Sequence, residues 1–124
     1  MILNIVICYN NIDEVCMYIR NTRQLLYGNL IRFVVVVNAI QPEKKKVLDE
    51  INLSDYIDIY ISEKNLGYMN GFIYGFEQYC REQHSLTVDW IILSNTDITY
   101  PDNLFLDYFL NQDNDREVWC VAPS

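Results

Sequence analysis

The sequence predicts an α/β domain with an open, mostly parallel, Rossmann-like sheet and helices on both faces. Short apolar runs alternate along the chain with segments of helical periodicity, as is typical of parallel sheets. The chain has 124 residues, of which 51% are hydrophobic, so it is long and apolar enough to bury the core of one domain. Polar residues directly follow several of the apolar runs, which is where such sheets place their ligand contacts.

The first part of the chain predicts two strands with a helix between them. Residues 3–8 are typical of a strand buried on both faces. A helix follows, with Asn11 as its expected N-cap and an apolar stripe that runs as far as Leu26, before Gly28 ends it. Residues 33–37 are strongly β-branched and predict the second strand.

The middle of the chain predicts a short charged helix over residues 42–51, with Pro42 in its first turn. Residues 57–61 alternate between isoleucine and less apolar residues, which predicts a half-exposed strand at a sheet edge. Residues 65–71 predict a loop that leads into a third helix. The expected apolar face of that helix consists of Phe72, Ile73, Phe76 and either Tyr79 or Cys80.

The last part predicts a fourth strand, a helix and a late strand. Residues 90–93 are an apolar run that indicates a buried strand, residues 101–110 a helix, and residues 118–121 a final strand. With the half-exposed third strand at an edge, the strand order is 3-2-1-4 with an additional late strand. The switch in winding direction then falls between strands one and four, and open α/β sheets bind ligands at such a crevice.

Polar residues gather where we expect this crevice. Tyr9 and Asn10 follow the first strand, Asn38 follows the second, and residues 95–97 (Asn-Thr-Asp) follow the fourth. Asn95 and Asp97 lie two residues apart, so in extended backbone their side chains point to the same side. Asp97 is a hard oxygen ligand suited to Mg²⁺ or Mn²⁺. The alternative is that residues 95–97 form a simple turn in which Asp97 caps the next segment.

The loop of residues 65–71 is expected to open near the same edge. Gly67 and Gly71 would let the backbone approach a ligand closely, and the N–H groups at the start of the following helix could hold phosphate. The alternative is that both glycines only form the turn and let the helix pack closely.

Composition and missing motifs argue against several classes of function and site. A net charge of −8 argues against a nucleic-acid partner. Dinucleotide and P-loop glycine motifs are absent. The four cysteines, Cys8, Cys16, Cys80 and Cys120, form no C-x-x-C pair, and His84 is the single histidine, so no zinc site is spelled out. We expect buried free thiols in a reducing compartment, and His84 at the surface. With no signal peptide or membrane span in the sequence, we expect a cytoplasmic protein.

Four segments resemble family 2 glycosyltransferases with the GT-A fold. They are residues 5–10 (IVICYN), 35–39 (VVVNA), 65–68 (NLGY) and 92–97 (ILSNTD). No single segment is specific, but their order and spacing are, and together they span nearly the whole chain. The resemblance implies a single nucleotide-sugar-binding domain over residues 1–124, ending before the acceptor-binding part of the family. It implies transfer of a hexosyl or deoxyhexosyl group, with inversion, to a glycan or lipid-linked acceptor in cell-wall or polysaccharide synthesis. A lipid-linked acceptor would bring the chain to the inner face of the membrane.

The resemblance also implies residue roles. Tyr9 would lie against the base, backbone near Cys8 and Asn10 would meet base and ribose, Asn95 would lie near the ribose, and Asp97 would hold Mg²⁺ or Mn²⁺ on the diphosphate. The full set of candidate nucleotide-sugar-binding residues is Cys8, Tyr9, Asn10, Asn38, Asn65, Gly67, Asn70, Gly71, Asn95 and Thr96.

Three departures from the family pattern keep other functions open. Val37 stands where the family usually has a base-reading aspartate, Asn95 replaces the first aspartate of the D-x-D motif, and the catalytic base is expected beyond residue 124. One alternative is a non-catalytic nucleotide-sugar-binding remnant or a part of a split enzyme. Another is a structural or interaction domain that has lost its ligand.

Overall fold

A computed structural model describes residues 1–25, 27–38, 45–51, 54–82, 88–100 and 106–107. Its strands are β1 (Ile2–Cys8), β2 (Ile31–Asn38), β3 (Ile57–Ser62) and β4 (Trp90–Ser94). Its helices are α1 (Ile12–Arg23), α2 (Lys45–Ile51) and α3 (Gly67–Glu82), with a 3₁₀ turn at Gly28–Leu30. Within the described residues, no helix is both long and apolar enough to cross a membrane.

The sheet is open, entirely parallel and ordered β3-β2-β1-β4, which confirms the predicted strand order. β1 lies in the middle and pairs with β2 on one side and with β4 on the other. All seven β1 residues are buried, because helices cover both of its faces and strands cover both of its edges. The carboxyl ends of β1 and β4 therefore meet at the predicted switch point.

Two hydrophobic clusters lie on opposite faces of the sheet, as the period of two in a strand requires. On one face, Val6 and Val35 pack with Val15 and Ile19 of α1 and with Leu48 of α2. On the other face, strand residues pack beneath α3; they include Leu3, Ile5, Ile7, Val34 and Val36. The prediction of helices on both faces is confirmed.

The prediction that the fourth strand is buried is wrong for one of its faces. Ile91 and Leu93 are 43% and 49% exposed, whereas Trp90 and Ile92 pack against the α1-side core. β4 forms one edge of the described sheet, and α3 lies mainly over β1 and β2. The helix that shields this side of β1 therefore leaves the same side of β4 open.

The buried face of α3 differs from the predicted one. Phe72 and Tyr79 are buried as expected, but Ile73, Phe76 and Cys80 are exposed. Gly71 and Gly75 are buried instead, because a glycine lets the helix backbone approach the sheet. The helix also begins at Gly67, so most of the expected loop of residues 65–71 is its first turn.

Replacing Gly75 by alanine is expected to lower the free energy of unfolding by about 1 kcal/mol. An added Cβ would lie 2.5 Å from Val36 Cγ2 and 3.2 Å from Val34 Cγ1, which are branched side chains locked in the sheet. Such overpacking costs about 1–3 kcal/mol, partly offset by the higher helix propensity of alanine. Urea denaturation measures the change.

Gly71→Ala is the matched control in the same helix. Its added Cβ would come too close only to the terminal Cδ1 of Ile7, at 2.8 Å, while Asn38 Nδ2 would lie in ordinary contact at 3.8 Å, so we expect no loss of stability. Equal stability of the two variants would contradict the packing argument.

The end of α1 and the burial of the cysteines can also be compared with the predictions. α1 ends at Arg23 rather than near Leu26, and Tyr27 takes a left-handed conformation just before Gly28. Cys8 is buried, Cys16 half-buried and Cys80 exposed, all as free thiols, so the expectation of burial is wrong for Cys80. The start of the second helix at Pro42, most of the helix at 101–110, the late strand at 118–121, His84 and Cys120 lie outside the described residues.

Candidate functional site

A small cleft opens where the carboxyl ends of β1 and β2 meet the start of α3. Its volume is about 160 Å³. It brings together four of the predicted site residues, Tyr9, Asn38, Asn65 and Gly67, although they lie up to 58 positions apart in the chain. The described residues that line it are Ile7, Tyr9, Asn11, Asn38, Asn65, Gly67 and Tyr68.

Asn38 is the most buried polar residue of this cleft, with 1% of its surface exposed. It is the last residue of β2, and strand alternation turns Val37 toward the α1-side core and Asn38 toward α3. Its Oδ1 accepts a hydrogen bond from the backbone N–H of Leu66 at 3.4 Å. Asn38 thereby ties the end of the sheet to the segment that begins α3.

Asn65 and Gly67 shape the start of α3. Asn65 Oδ1 accepts a hydrogen bond from the Gly67 N–H at 3.0 Å, as in an Asx turn. Gly67 has φ of 74°, a conformation that glycine adopts without strain. The N–H groups of Leu66 and Gly67 are therefore both engaged by asparagine oxygens, and phosphate binding by this helix start would have to use later N–H groups.

Asn11 links the two sides of the crevice between β1 and β4. Its Oδ1 accepts from the Tyr9 N–H at 2.8 Å, and its Nδ2 donates to Thr96 Oγ1 at 3.1 Å. Thr96 Oγ1 in turn donates to Glu14 Oε1 at 2.7 Å. Asn11 occupies the N-cap position of α1, as predicted, but its side chain makes no capping hydrogen bond. The prediction that its side chain caps the helix is therefore wrong.

Asp97 lies in the turn that follows β4, and both Asp97 and Asn95 are exposed. Among the described residues, no group of three or more histidine, cysteine, aspartate or glutamate side chains could enclose a metal ion. A single exposed carboxylate fits Mg²⁺ or Mn²⁺ held jointly with ligand phosphates and water, since Mg²⁺ usually takes only one or two carboxylates. The residues present fit such a shared site and do not fit a metal site built from protein alone.

The remaining predicted site residues differ in how accessible their side chains are to a ligand. The Cys8 side chain points into the α1-side core, and burial raises the pKa of its thiol, which disfavours a nucleophilic role and leaves only its backbone for a ligand. Gly71 is buried against Ile7. Asn10 and Asn70 are exposed, and Asn10 has φ of 58° in the left-handed region.

A buried polar network lies beneath the residues 95–97 turn. Asn4 Nδ2 donates to Ile92 O and to Ser94 Oγ, each at 3.0 Å. Tyr18 Oη donates to Asn4 Oδ1 and also lies 2.7 Å from Ser94 Oγ and from Tyr100 Oη. Burial, with the neighbouring Tyr18, raises the pKa of Tyr100. The network joins β1, α1 and the chain on both sides of residues 95–97.

Sequence reasoning did not find Asn11, Glu14 or Tyr18 as supports of the site. Asn11 and Glu14 had an adequate local explanation at the start of a helix. Asn4, a polar residue inside an otherwise apolar strand, was the available signal for the buried network, because a buried amide needs partners.

Comparison with models of known protein families gives no match, and comparisons with curated proteins and with solved structures give none either. The resemblance to family 2 glycosyltransferases therefore stays a prediction.

Proposed function

We propose that the chain binds a nucleotide sugar and serves as the donor-binding domain of a glycosyltransferase of GT-A type. The observation that carries the proposal is the placement of the cleft. Tyr9 and Asn38 line it at the carboxyl ends of adjacent parallel strands, and Asp97 follows the next strand across the switch point. Open α/β sheets bind ligands outside the carboxyl ends of their strands at the switch point, and the cleft adjoins the β1 side of that point.

The proposed roles combine what the family resemblance implies with the exposure of each residue. Tyr9 is 52% exposed, so its side chain is accessible to stack on a base. Asp97 would hold Mg²⁺ or Mn²⁺ together with ligand phosphate, and Asn95, which is exposed two residues before it, would meet the ribose, as the resemblance implies. When bound, the metal ion supplies Lewis-acid stabilisation of the charge on the leaving nucleoside diphosphate. Asn11 keeps the two sides of the crevice together through its bonds to Tyr9 and Thr96.

Transfer to an acceptor makes a further chemical demand on the protein. Transfer to a glycan or lipid-linked acceptor requires a carboxylate base, and we assign that role to no described residue. Asp107 is half-buried and has interaction partners, and Asp102 lies outside the described residues. Donor binding and transfer are therefore tested separately.

A second candidate function is an interaction domain, and an exposed apolar surface favours it. Ile91 and Leu93 on β4 are about half exposed, as is Ile73 on α3, and Met69 is more exposed still. Exposed large apolar side chains mark contact sites when they form a contiguous patch. This candidate predicts a folded chain with no affinity for nucleotides.

Titration calorimetry of the chain with nucleoside diphosphates, with Mn²⁺ and with a chelator, decides between these functions. The proposal expects binding that requires the metal and differs between bases. Absence of binding to any nucleotide by a folded sample would overturn it and favour the interaction domain. Donor binding without turnover on any acceptor would favour the non-catalytic module.

A further inference from the structure

The side-chain amide of Asn38 has an unused donor at the cleft. Leu66 N–H needs an acceptor, so the oxygen of this amide is the atom that faces it, at 3.4 Å, and the nitrogen points elsewhere. Among the described residues, Asn38 Nδ2 has no hydrogen-bond partner. None of the described side-chain nitrogen and oxygen atoms is both fully buried and unpaired. Because Nδ2 is unpaired, it therefore keeps some access to solvent, and Asn38 lines the cleft.

A donor held in this way is set up to meet a ligand acceptor. Asn38 is 1% exposed and ends a central strand, so its position does not depend on a mobile side chain. A ligand that covered this donor without accepting from it would leave it unpaired and away from water, at a cost, so a ligand oxygen is favoured at this position. Gly71 leaves room beside the amide, since an added Cβ there would be in van der Waals contact with Nδ2, at 3.8 Å.

The cleft itself suits a neutral ring better than a phosphate. None of its described lining residues carries a charge, and Tyr9 and Tyr68 supply aromatic surface. Its volume of about 160 Å³ is well below that of pockets that enclose a whole drug-sized ligand, which span about 300–1,000 Å³. One flat heterocycle fits this description, with the charged part of the ligand outside.

We propose that Asn38 Nδ2 donates a hydrogen bond to a carbonyl oxygen of the nucleotide base and so selects bases that have a carbonyl group over adenine. This inference rests on the proposed function and adds the residue that reads the base. It also explains how base selection works although Val37 stands where an aspartate is usual in the resembled family. Val37 is buried in the α1-side core and cannot reach the cleft, whereas Asn38, the next residue, lines it.

The test compares affinities for UDP and ADP, with Mn²⁺, in the wild type and in Asn38→Asp. The wild type is expected to prefer UDP by about tenfold or more, since adenine has an amino group and no carbonyl. In Asn38→Asp one oxygen still accepts from Leu66, while the other accepts a hydrogen bond and no longer donates one. The UDP-to-ADP preference is expected to fall by at least tenfold. IDP, which has the two rings of ADP but a carbonyl in place of its amino group, separates base size from the hydrogen bond.

Asn65→Asp is the matched control. It adds the same charge to the same cleft, and aspartate can replace asparagine in accepting from the Gly67 N–H. It is expected to weaken the binding of all three nucleotides equally and to leave their ratios unchanged. Asn38→Ala, which removes the donor without adding a charge, is expected to bring the ratio of IDP to ADP affinities close to one and serves if Asn38→Asp does not fold.

The outcomes separate this inference from the proposed function. No nucleotide binding by the folded wild type would overturn both. Metal-dependent binding with equal affinity for IDP and ADP, or with a preference that survives both Asn38 substitutions, would overturn the role of Asn38 and leave the proposed function standing.

Discussion

Asp97→Ala is expected to abolish metal-dependent nucleotide binding while the fold stays intact. Loss of a residue that only supports a metal ligand already costs about 10–100-fold in affinity, so loss of the proposed ligand itself should cost at least 100-fold. Asp97 is exposed in a turn after β4, where substitutions usually change the free energy of unfolding by less than about 0.5 kcal/mol. Calorimetric titration with a nucleoside diphosphate and Mn²⁺ measures the first effect, and urea denaturation the second.

Asp55→Ala provides the matched control for this experiment. Asp55 is also an exposed aspartate in a turn, but it precedes β3, so it lies at the opposite end of the sheet from the cleft. Its replacement changes the net charge equally and is expected to leave nucleotide affinity unchanged. If Asp97→Ala instead costs about 1 kcal/mol of stability and leaves metal-dependent binding unaltered, Asp97 is a cap or turn residue.

The sheet could be predicted because its signals are local. Residues 33–37 are apolar and mostly β-branched, the alternation at residues 57–61 indicates an edge strand, and β1 is apolar throughout except at Asn4. These features indicate which strands lie inside the sheet and which at its edge, and so the strand order, although within β3 it is Tyr60 that is buried and Ile61 that is half exposed. The exposed face of β4 could not be predicted in the same way, since an apolar run looks the same whether or not a helix covers it.

The buried face of α3 shows why periodicity alone can mislead. Ile73 and Phe76 are the more apolar residues, so a helical stripe through them was the natural prediction. Gly71 and Gly75 pack against the sheet instead, because residues without side chains let the helix approach the strands closely. Glycine contributes nothing to a hydrophobic stripe, so this packing surface is invisible to a pattern of apolar residues.

The placement of the polar residues that follow the strands was predictable, and the hydrogen bonds that hold them were not. Polar residues after parallel strands must share one edge, so Tyr9, Asn38 and Asp97 could be placed from the strand order. The bonds that hold this edge join residues 85 positions apart in Asn11–Thr96 and 82 in Glu14–Thr96. No local pattern encodes such pairs, because the same residue types occur at any helix start.

Tyr18→Phe is expected to destabilise the protein by about 3 kcal/mol, the largest stability effect predicted for this chain. One assignment satisfies the network under β4. In it, Tyr18 Oη donates to Asn4 Oδ1 and accepts from the hydroxyl groups of Ser94 and Tyr100. Removing this hydroxyl leaves Asn4 Oδ1 without its donor in a strand position with no solvent access, and a buried unpaired polar group costs about 1–3 kcal/mol. The loss of two further bonds adds to that cost.

Tyr79→Phe is the control, since Tyr79 is buried to the same degree on the other face of the sheet. Its hydroxyl donates to the Met1 sulfur at 3.7 Å, which is a weak bond, so we expect a change below about 1 kcal/mol. Urea denaturation of both variants measures the difference. A cost for Tyr18→Phe no greater than that for Tyr79→Phe would mean that the network is not held together by the Tyr18 hydroxyl. A large difference would show that the Tyr18 hydroxyl, through its three hydrogen bonds, fixes the end of β4. The hydroxyl would thereby also fix the turn that carries Asp97.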